Sequence, residues 1–302
     1  MTAPEGFTHR PAAVAEADAV AELMNEFDRA HLEEPDTVDA AEVARWWSRI
    51  DLEFDTRLYF GAGRLAGAAT VYERNAGQLD LDAFVRPDLK GRGLGSAMID
   101  WLEHEARRRR LDIARTSALA ADEPAKDLIE SRGFRPVRHF YRMSIDLEEP
   151  PAAPVWPAGF AVSTLRPGEE ELVRAVTEES FAEHWGHEPR DLEHWQATTF
   201  GAEWWDPSLV HLVRAGDEVV AAQIAAIRFG SGWIGTLGTR APWRGRGLGR
   251  AMLLTAFAEL YRRGERRIAL AVDAGNETGA THLYEQVGMR VAWQADVYEK
   301  RM

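Results

Sequence analysis

The chain contains no cysteine. That absence excludes disulfides, thiolate metal ligands and a cysteine nucleophile together, so any group transfer must use other side chains. Long apolar runs are also missing, since no stretch approaches the roughly 18 residues that a membrane-spanning helix requires. The first residues lack the pattern of a secretory signal. We therefore expect a cytoplasmic protein with no membrane partner.

Basic residues are also few compared with acidic ones. Lys and Arg number 36 against 49 Asp and Glu, which gives a formal net charge of −13 at pH 7. Such a balance disfavours binding to a phosphate backbone, so we expect no nucleic-acid partner. It mildly favours a cationic or amine-bearing small substrate.

Two glycine-rich stretches are the most informative motifs. They read Arg244-Gly245-Arg246-Gly247-Leu248-Gly249-Arg250 and Lys90-Gly91-Arg92-Gly93-Leu94-Gly95-Ser96. Each follows a strand-like apolar run and opens a helical pattern, so its backbone N–H groups can converge on an anion at the positive end of a helix. An ordinary glycine-rich turn is the alternative for one copy, and two copies disfavour it.

Spacing excludes two familiar phosphate motifs. A Walker loop ends in Gly-Lys-Ser/Thr, which neither copy contains. A dinucleotide fingerprint needs a third small residue where Met98 and Met252 stand. What remains is Arg/Lys-x-x-Gly-x-Gly between a strand and a helix, for which we expect a pyrophosphate as the anion.

The chain is internally duplicated. Gly247 lies 154 residues after Gly93, Gly288 lies 155 after Gly133, and Arg166-Pro167 begins 156 after Arg10-Pro11. Landmarks at nearly one spacing predict two copies of one fold. The acidic, proline-rich stretch 149–157 predicts an extended linker between domains at 1–148 and 158–302.

Each half shows the same coarse order of elements. A hairpin is predicted for 58–72 and for 210–227, then a strand at 78–85 or 233–239, then the glycine loop and its helix. In the second half Gly264 is a plausible helix stop, followed by a strand at 268–272, a short helix ending at Leu283-Tyr284 and a final pair of strands. The early helices are marked by Val20 and Leu23 in one half and by Leu172, Val173 and Val176 in the other. A doubly wound sheet is the alternative, which the hairpins disfavour.

The loop Arg/Lys-x-x-Gly-x-Gly between a strand and a helix resembles the acetyl-CoA pyrophosphate loop of the GCN5-related N-acetyltransferases (GNAT). The resemblance covers nearly the whole chain twice and implies an α/β fold with a mixed sheet in each of two tandem acyl-CoA N-acyltransferase domains. It implies acetyl-CoA as the acyl donor. In this family the pantetheine arm lies where the sheet splays before the loop. The residues that would contact the donor are Leu237, Thr239, Arg244 to Arg250 and Asn276 in the second half, and Val85, Lys90, Arg92, Gly93, Gly95 and Ser96 in the first.

The resemblance also distinguishes the two halves. The family often supplies a proton to the departing thiolate from a tyrosine within Leu-Tyr-x-x-x-Gly-Phe. The second half reads Leu283-Tyr284-Glu285-Gln286-Val287-Gly288-Met289, whereas Ile129 stands in place of the tyrosine in the first. We therefore expect the second half to be catalytic, with Tyr284 as general acid, and the first half to be catalytically degenerate. The alternative is that the Tyr284 side chain only packs against its neighbours. The family asparagine falls seven residues before the tyrosine, but here Asn276 is eight before it and Glu277 is seven.

The general base is less clearly marked. The segment 178–206 contains eight carboxylates, three histidines and four tryptophans, which suits an amine or cation. His184 and His187 are candidates because imidazole titrates near neutral pH, and Asp273 is a third candidate, with helix N-capping as its alternative. Solvated acids and core tryptophans are the alternative for the segment. A metal site at His184 and His187 is disfavoured because their spacing does not suit one helix face.

These patterns predict an N-acetyltransferase that acts on a primary amine of a small molecule. Among tandem members the chain is similar to the mycothiol synthases, which acetylate a cysteinyl amine; they carry a glutamate in the strand before the active loop, where this chain has Trp233. A non-catalytic acyl-CoA-binding or regulatory protein is the rival from another class. The sequence leaves the oligomeric state open.

Overall fold

The computed structural model describes residues 2–74, 77–276 and 279–302. They group into two units. The first contains the residues up to Tyr141 together with Asp273–Gly275 and Ala292–Met302, and the second contains Arg142–Val272 and Asn276–Val291. Within the described ranges no helix combines the length and the apolar character needed to cross a membrane.

The helices and strands follow nearly the same order in both halves of the chain. The first half contains β1 (Thr8–Arg10), α1 (Ala17–His31), α2 (Ala40–Trp47), α3 (Leu52–Asp55), β2 (Thr56–Gly61), β3 (Arg64–Arg74), β4 (Gln78–Val85), α4 (Leu94–Arg109), β5 (Ile113–Leu119), α5 (Glu123–Ser131) and β6 (Arg135–Asp146). The second half contains β7 (Ala161–Thr164), α6 (Glu170–Phe181), α7 (Leu192–Trp195), β8 (Val210–Ala215), β9 (Glu218–Arg228), β10 (Ser231–Thr239), α8 (Leu248–Arg262), β11 (Arg267–Asp273), α9 (Ala280–Gln286) and β12 (Arg290–Arg301).

Both predicted hairpins are confirmed. The β2–β3 turn places both of its residues in the left-handed region, Ala62 at φ 50° and Gly63 at φ 78°, as one common type of two-residue hairpin turn requires. In the β8–β9 turn the first residue, Gly216, has a positive φ of 62°. Residues of the turns themselves thus determine the first hairpin of each half.

The helices that follow the glycine loops pack on these sheets through apolar faces. In α4, Met98 and Leu102 are fully buried, and in α8, Met252 and Phe257 are fully buried. Burial of each such side chain contributes about 1.5–3 kcal/mol. The predicted stop at Gly264 is confirmed, because α8 ends at Arg262 and Gly264, at φ 102°, follows its cap.

The earlier helix α6 follows its predicted face with one exception. Val173 and Val176 are fully buried, but Leu172 is 39% exposed. Leu172 directly precedes Val173, and adjacent residues on a helix point about 100° apart, so only one of them can face the sheet.

Both units contain strands in a mixed arrangement. In the first unit the strand order is β1-β2-β3-β4-β5-β12, in which only β4 and β5 run parallel. In the second unit the order is β7-β8-β9-β10-β11, with β10 and β11 parallel, and β11 is followed by β6, of which Arg142–Asp146 belong to this unit. The predicted mixed-sheet fold class is confirmed.

The predicted final pair of strands is wrong. Residues Arg290–Arg301 form one continuous strand of 12 residues, because this stretch contains no glycine, proline or asparagine that could turn the chain. The last strand also pairs differently from a simple division at the linker. β12 lies beside β5 in the first unit, and β6 lies beside β11 in the second. The division into 1–148 and 158–302 therefore remains a prediction about the repeated sequence. In the structure, the two halves of the chain exchange their last strands.

Candidate functional site

The second glycine loop leads directly into α8. Gly245 and Gly247 have φ angles of 73° and 82°, a left-handed conformation that favours glycine. Gly247 is the N-cap of α8 and offers no side-chain hydrogen bond to it. The first N–H groups of a helix have no intrahelical acceptor, so this end of α8 presents donors suited to an anion.

The charges around this helix end also suit an anion. Arg244, Arg246 and Arg250 are all exposed, and the first turn of α8 carries no acidic residue. Cations at the positive end of a helix are unfavourable unless an anion lies between them. Arg244 is fastened by hydrogen bonds from its guanidinium to the carbonyl oxygens of Thr239 (3.0 Å) and Ser180 (3.2 Å). These residues fit the pyrophosphate of an acyl-CoA.

A packing motif that sequence inspection missed supports each loop. Pro157 lies 3.8 Å from the position of a Cβ on Gly247, and Phe160 packs edge-on against Trp243 with ring centres 5.6 Å apart. The Arg246 guanidinium covers the same Trp243 at 4.9 Å. In the first unit Pro4 and Phe7 make the corresponding contacts with Gly93 and Arg92. The signal was present as Pro-x-Gly-Phe, repeated 153 residues apart.

The parallel strands β10 and β11 separate early. They pair only at Gly232 with Ile268 and at Trp233 with Ala269. Leu237 and Thr239 therefore lie beyond the last paired residue, in the part of β10 that is bonded only to β9. A strand whose second edge is unpaired can accept an extended, amide-bearing chain, which is what the family resemblance implies for the pantetheine arm.

Tyr284 lies on α9, close to the start of α8. Its side chain is 8% exposed, and burial raises the pKa of its hydroxyl to about 12. The neighbouring Leu283 touches the loop, because a Cβ on Gly249 would lie 2.8 Å from the Leu283 Cδ2. A larger residue at position 249 would require the Leu283 side chain to shift.

Asp273 has a structural partner. The Arg138 Nε donates to both of its carboxylate oxygens, at 2.8 and 2.9 Å, and the Gly275 N–H donates to Oδ1 at 2.9 Å. The N-capping alternative is wrong, since Gly279 is the N-cap of α9. The Asp273 carboxylate is therefore engaged by a guanidinium and a backbone N–H. Asn276 follows this turn and is partly buried, whereas Glu277 lies outside the described residues.

The two candidate histidines follow the end of α6 and differ in their contacts. His187 Nε2 lies 3.1 Å from Glu178, a carboxylate that also accepts from the Trp195 Nε1 at 2.9 Å. The His184 ring packs on Phe181 at 4.4 Å, and Phe181 in turn lies 3.6 Å from a Cβ position on Gly238. His184 is thus near the end of β10, beyond the residues that pair with β11.

The tryptophans of segment 178–206 pack mainly against the sheet. Trp195 is 5% exposed and belongs to the core between α6 and β8–β9. Trp204 and Trp205 pack against the same core. These three tryptophans are therefore part of the core or pack against it, as the alternative predicted. Of the four, only Trp185 is left as a candidate for the wall of an acceptor pocket.

The glycine loop of the first unit has the same backbone and different surroundings. Gly91 and Gly93 have φ angles of 76° and 86°, and Gly95 approaches Leu128 as Gly249 approaches Leu283. Arg92 is exposed and Ser96 is partly buried. Val85 pairs with β3 and packs on the core of the unit, and Ile129, in the tyrosine position, is buried in it.

The acetyltransferase (GNAT) family model matches the chain twice, at residues 18–134 and 171–289. The chain belongs to this family, and it is an acyltransferase with acetyl-CoA as its donor. It is 28% identical over 285 residues to a mycothiol acetyltransferase of Catenulispora acidiphila, covering 91% of this chain and 88% of that one. A mycothiol acetyltransferase of Thermobispora bispora is 33% identical over 235 residues, covering 72% and 74%.

Solved structures show the same tandem architecture. A GCN5-related N-acetyltransferase from Sphaerobacter thermophilus superposes with a TM-score of 0.86 at 35% identity, covering 99% of this chain and 97% of that one. A tandem GNAT protein from the clavulanic acid biosynthesis pathway superposes with a TM-score of 0.75 at 15% identity, covering 98% of both chains. The second likeness concerns the fold alone.

Proposed function

We propose that the second half, 158–302, carries the active site and transfers acetyl from acetyl-CoA directly to a primary amine of a small molecule. The observation that carries the proposal is the Tyr284 hydroxyl, a buried proton donor on a helix that touches the glycine loop through Leu283. The corresponding residue in the first half is Ile129, which has no proton to give.

When bound, acetyl-CoA supplies the thioester whose acetyl group the amine takes. Arg244, Arg246 and the N–H groups at the start of α8 would hold its pyrophosphate, and the free edge of β10 would orient its arm. The amine nitrogen bonds to the carbonyl carbon as the carbon–sulfur bond breaks. Tyr284 then gives its hydroxyl proton to the leaving sulfur.

The attacking amine must lose a proton, and we propose His184 as the base. His184 stands on Phe181, which lies beside Gly238 near the end of β10. Its imidazole suits proton acceptance near neutral pH.

A cysteinyl amine, as in mycothiol synthesis, is the second candidate acceptor. The named relatives favour it. Trp233 stands in the strand where the mycothiol synthases carry glutamate, and its ring is covered by Arg142 at 4.2 Å and by Phe229 at 5.3 Å. Acetylation of the cysteinyl precursor of mycothiol by the purified protein, followed by mass spectrometry, tests this acceptor, and failure would leave the wider amine class standing.

The Tyr284→Phe variant tests the role of the second half. We expect kcat to fall by about 10²-fold or more, the usual contribution of a general acid, with little change in the Kd of acetyl-CoA. Released CoA can be followed with a thiol reagent without background, because the chain has no cysteine.

Tyr261→Phe, on α8 of the same unit, is the matched control and should keep wild-type turnover. Equal turnover of Tyr284→Phe and wild type would remove the proposed acid. Loss of acetyl-CoA binding in Tyr284→Phe would instead indicate a structural role.

A further inference from the structure

In the first unit, the basic residue that opens the glycine loop is bound internally. The Lys90 Nζ lies 2.7 Å from Asp122 Oδ2 and 2.6 Å from His31 Nε2, and it lies 5.5 Å from the centre of the Phe27 ring. The Asp122 side chain is only 3% exposed. A buried carboxylate needs its cation, so Lys90 is committed to this contact.

The histidine completes the cluster through a fixed tautomer. His31 Nδ1 lies 2.6 Å from the Phe27 carbonyl oxygen, which can only accept, so Nδ1 carries the proton and donates. Nε2 is then an acceptor, and the Lys90 ammonium donates to it. Asp122 also accepts from the Ala125 N–H and caps α5. Lysine, imidazole and carboxylate thus satisfy one another without a bound anion.

The second unit differs at the loop end of this contact. Arg244 stands at the position of Lys90 and donates to two backbone carbonyl oxygens. Glu277, which lies seven residues before Tyr284 as Asp122 lies seven before Ile129, is outside the described residues. A phosphate group beside Lys90 would meet the negative charge of Asp122, and like charges at such range repel strongly when partly buried.

The strand edge that follows is also less open in the first unit. β4 and β5 remain paired from Gln78 with Ile113 to Leu81 with Thr116. The Thr116 hydroxyl further donates to the Leu81 carbonyl oxygen at 3.2 Å. In β10 and β11 the pairing stops at Trp233, 154 residues after Leu79. Two more residues of β4 are therefore occupied where β10 has a free edge.

We propose that the cluster of Lys90, His31 and Asp122 takes the place of the anion at the first glycine loop, so that the chain binds one acyl-CoA, at the second loop only. The glycine backbone of the first loop persists because it begins α4 and lets Leu128 approach Gly95. The inference goes beyond the proposed function, since it concerns the half that does not carry Tyr284.

Calorimetric titration of the full chain with acetyl-CoA tests the proposal through a matched pair of variants. Wild type should show one site. Arg244→Ala should weaken binding at least tenfold, whereas Lys90→Ala should leave Kd within twofold. Thermal melts of each variant identify any that fail to fold.

The contrary outcomes are distinct. Two sites in wild type, or a tenfold weaker Kd with Lys90→Ala, would overturn the inference and leave the proposed function intact. Absence of any binding by wild type would overturn the single site and the proposed function together. If a variant does not fold, Gly247→Trp replaces Arg244→Ala and Gly93→Trp replaces Lys90→Ala, with the same expectations.

Discussion

Tyr284 has the environment that a proton donor to a thiolate requires. Its hydroxyl is neutral at physiological pH, because burial raises its pKa from 10 to about 12. Burial disfavours the phenolate, since the charged form loses its hydration. The Tyr284 hydroxyl is therefore protonated across the whole pH range in which an enzyme works.

The pH dependence of turnover follows from that shift. As the proposed acid, Tyr284 would act in its protonated form, and its raised pKa keeps it protonated as pH rises. Loss of its proton should therefore not lower kcat at any pH below about 11. We expect the acidic limb of the profile to report the base, near the range of an imidazole, and no alkaline limb between pH 8 and 10 that depends on Tyr284. Steady-state kinetics of wild type and Tyr284→Phe from pH 5 to 10 measure this. An alkaline limb near pH 9 that disappears in the variant would contradict it.

Residues that act through local motifs were accessible from the sequence, and those that act through distant partners were not. The loop glycines and Tyr284 are marked within seven consecutive letters each. The contact between Lys90 and Asp122 joins residues 32 apart, and that between Lys90 and His31 joins residues 59 apart. Asp273 was singled out for its position, but Arg138, which holds it, lies 135 residues away. Such pairings depend on which strands become neighbours.

At the scale of elements, Glu178 on α6 fastens the segment that follows it. Its carboxylate accepts from the Trp195 Nε1 at 2.9 Å and from the Arg190 N–H at 3.2 Å, and it contacts His187 at 3.1 Å. One acid thus joins the helix to three points of a segment that has little regular structure of its own. The segment also contains the proposed base, His184.

Removal of this carboxylate should loosen the segment. Glu178→Ala leaves the mostly buried Trp195 indole without its acceptor, a loss of about 1–3 kcal/mol, and we expect a lower melting temperature and a higher KM for the amine. Glu183→Ala, at an exposed position just beyond α6, is the control and should melt as wild type does. Differential scanning fluorimetry and steady-state kinetics give both readouts. If the two variants melt alike, the three contacts contribute no net stability.

Elements whose signals are short-range were predicted well. The strand 78–85 has the predicted bounds, and the hairpin turns lie where Ala62-Gly63 and Gly216 indicated. The strand at the end of the chain was predicted wrongly, because alternation of apolar residues indicates a strand but not the strand that pairs with it. The absence of glycine, proline and asparagine within 290–301 indicates one strand, but nothing in this stretch indicates that β5 is its partner. Sheet order at these positions is set by competition among distant edges.

At the scale of the whole molecule, the last strand of each half is exchanged. β12 pairs with β5 over seven positions, from Ala295 with Leu119 to Arg301 with Ile113. β6, from the other half, lies beside β11, and the Leu147 N–H donates to the Arg266 carbonyl oxygen at 2.7 Å. Each sheet is therefore completed by a strand that the other half of the chain supplies.

This exchange predicts that neither half is stable alone. A chain of residues 1–148 would leave β5 without β12 and expose a row of unpaired backbone groups, which favours aggregation. A chain of residues 158–302 would leave β11 without β6 in the same way. We expect each piece alone to show no cooperative thermal transition and no acetyl-CoA binding. Circular dichroism melts and calorimetry on the two purified pieces measure this.

Co-expression of residues 1–153 with residues 154–302 is the matched control, because that cut falls between β6, which ends at Asp146, and β7, which begins at Ala161. Both exchanged strands stay with their own halves in this pair, so the two pieces should purify together, melt cooperatively and bind acetyl-CoA as the intact chain does. A lone 158–302 piece that binds acetyl-CoA with the affinity of the intact chain would show that β6 is dispensable to the second sheet. The strand exchange would then stabilise the first unit alone, through the seven residue pairs of β5 and β12.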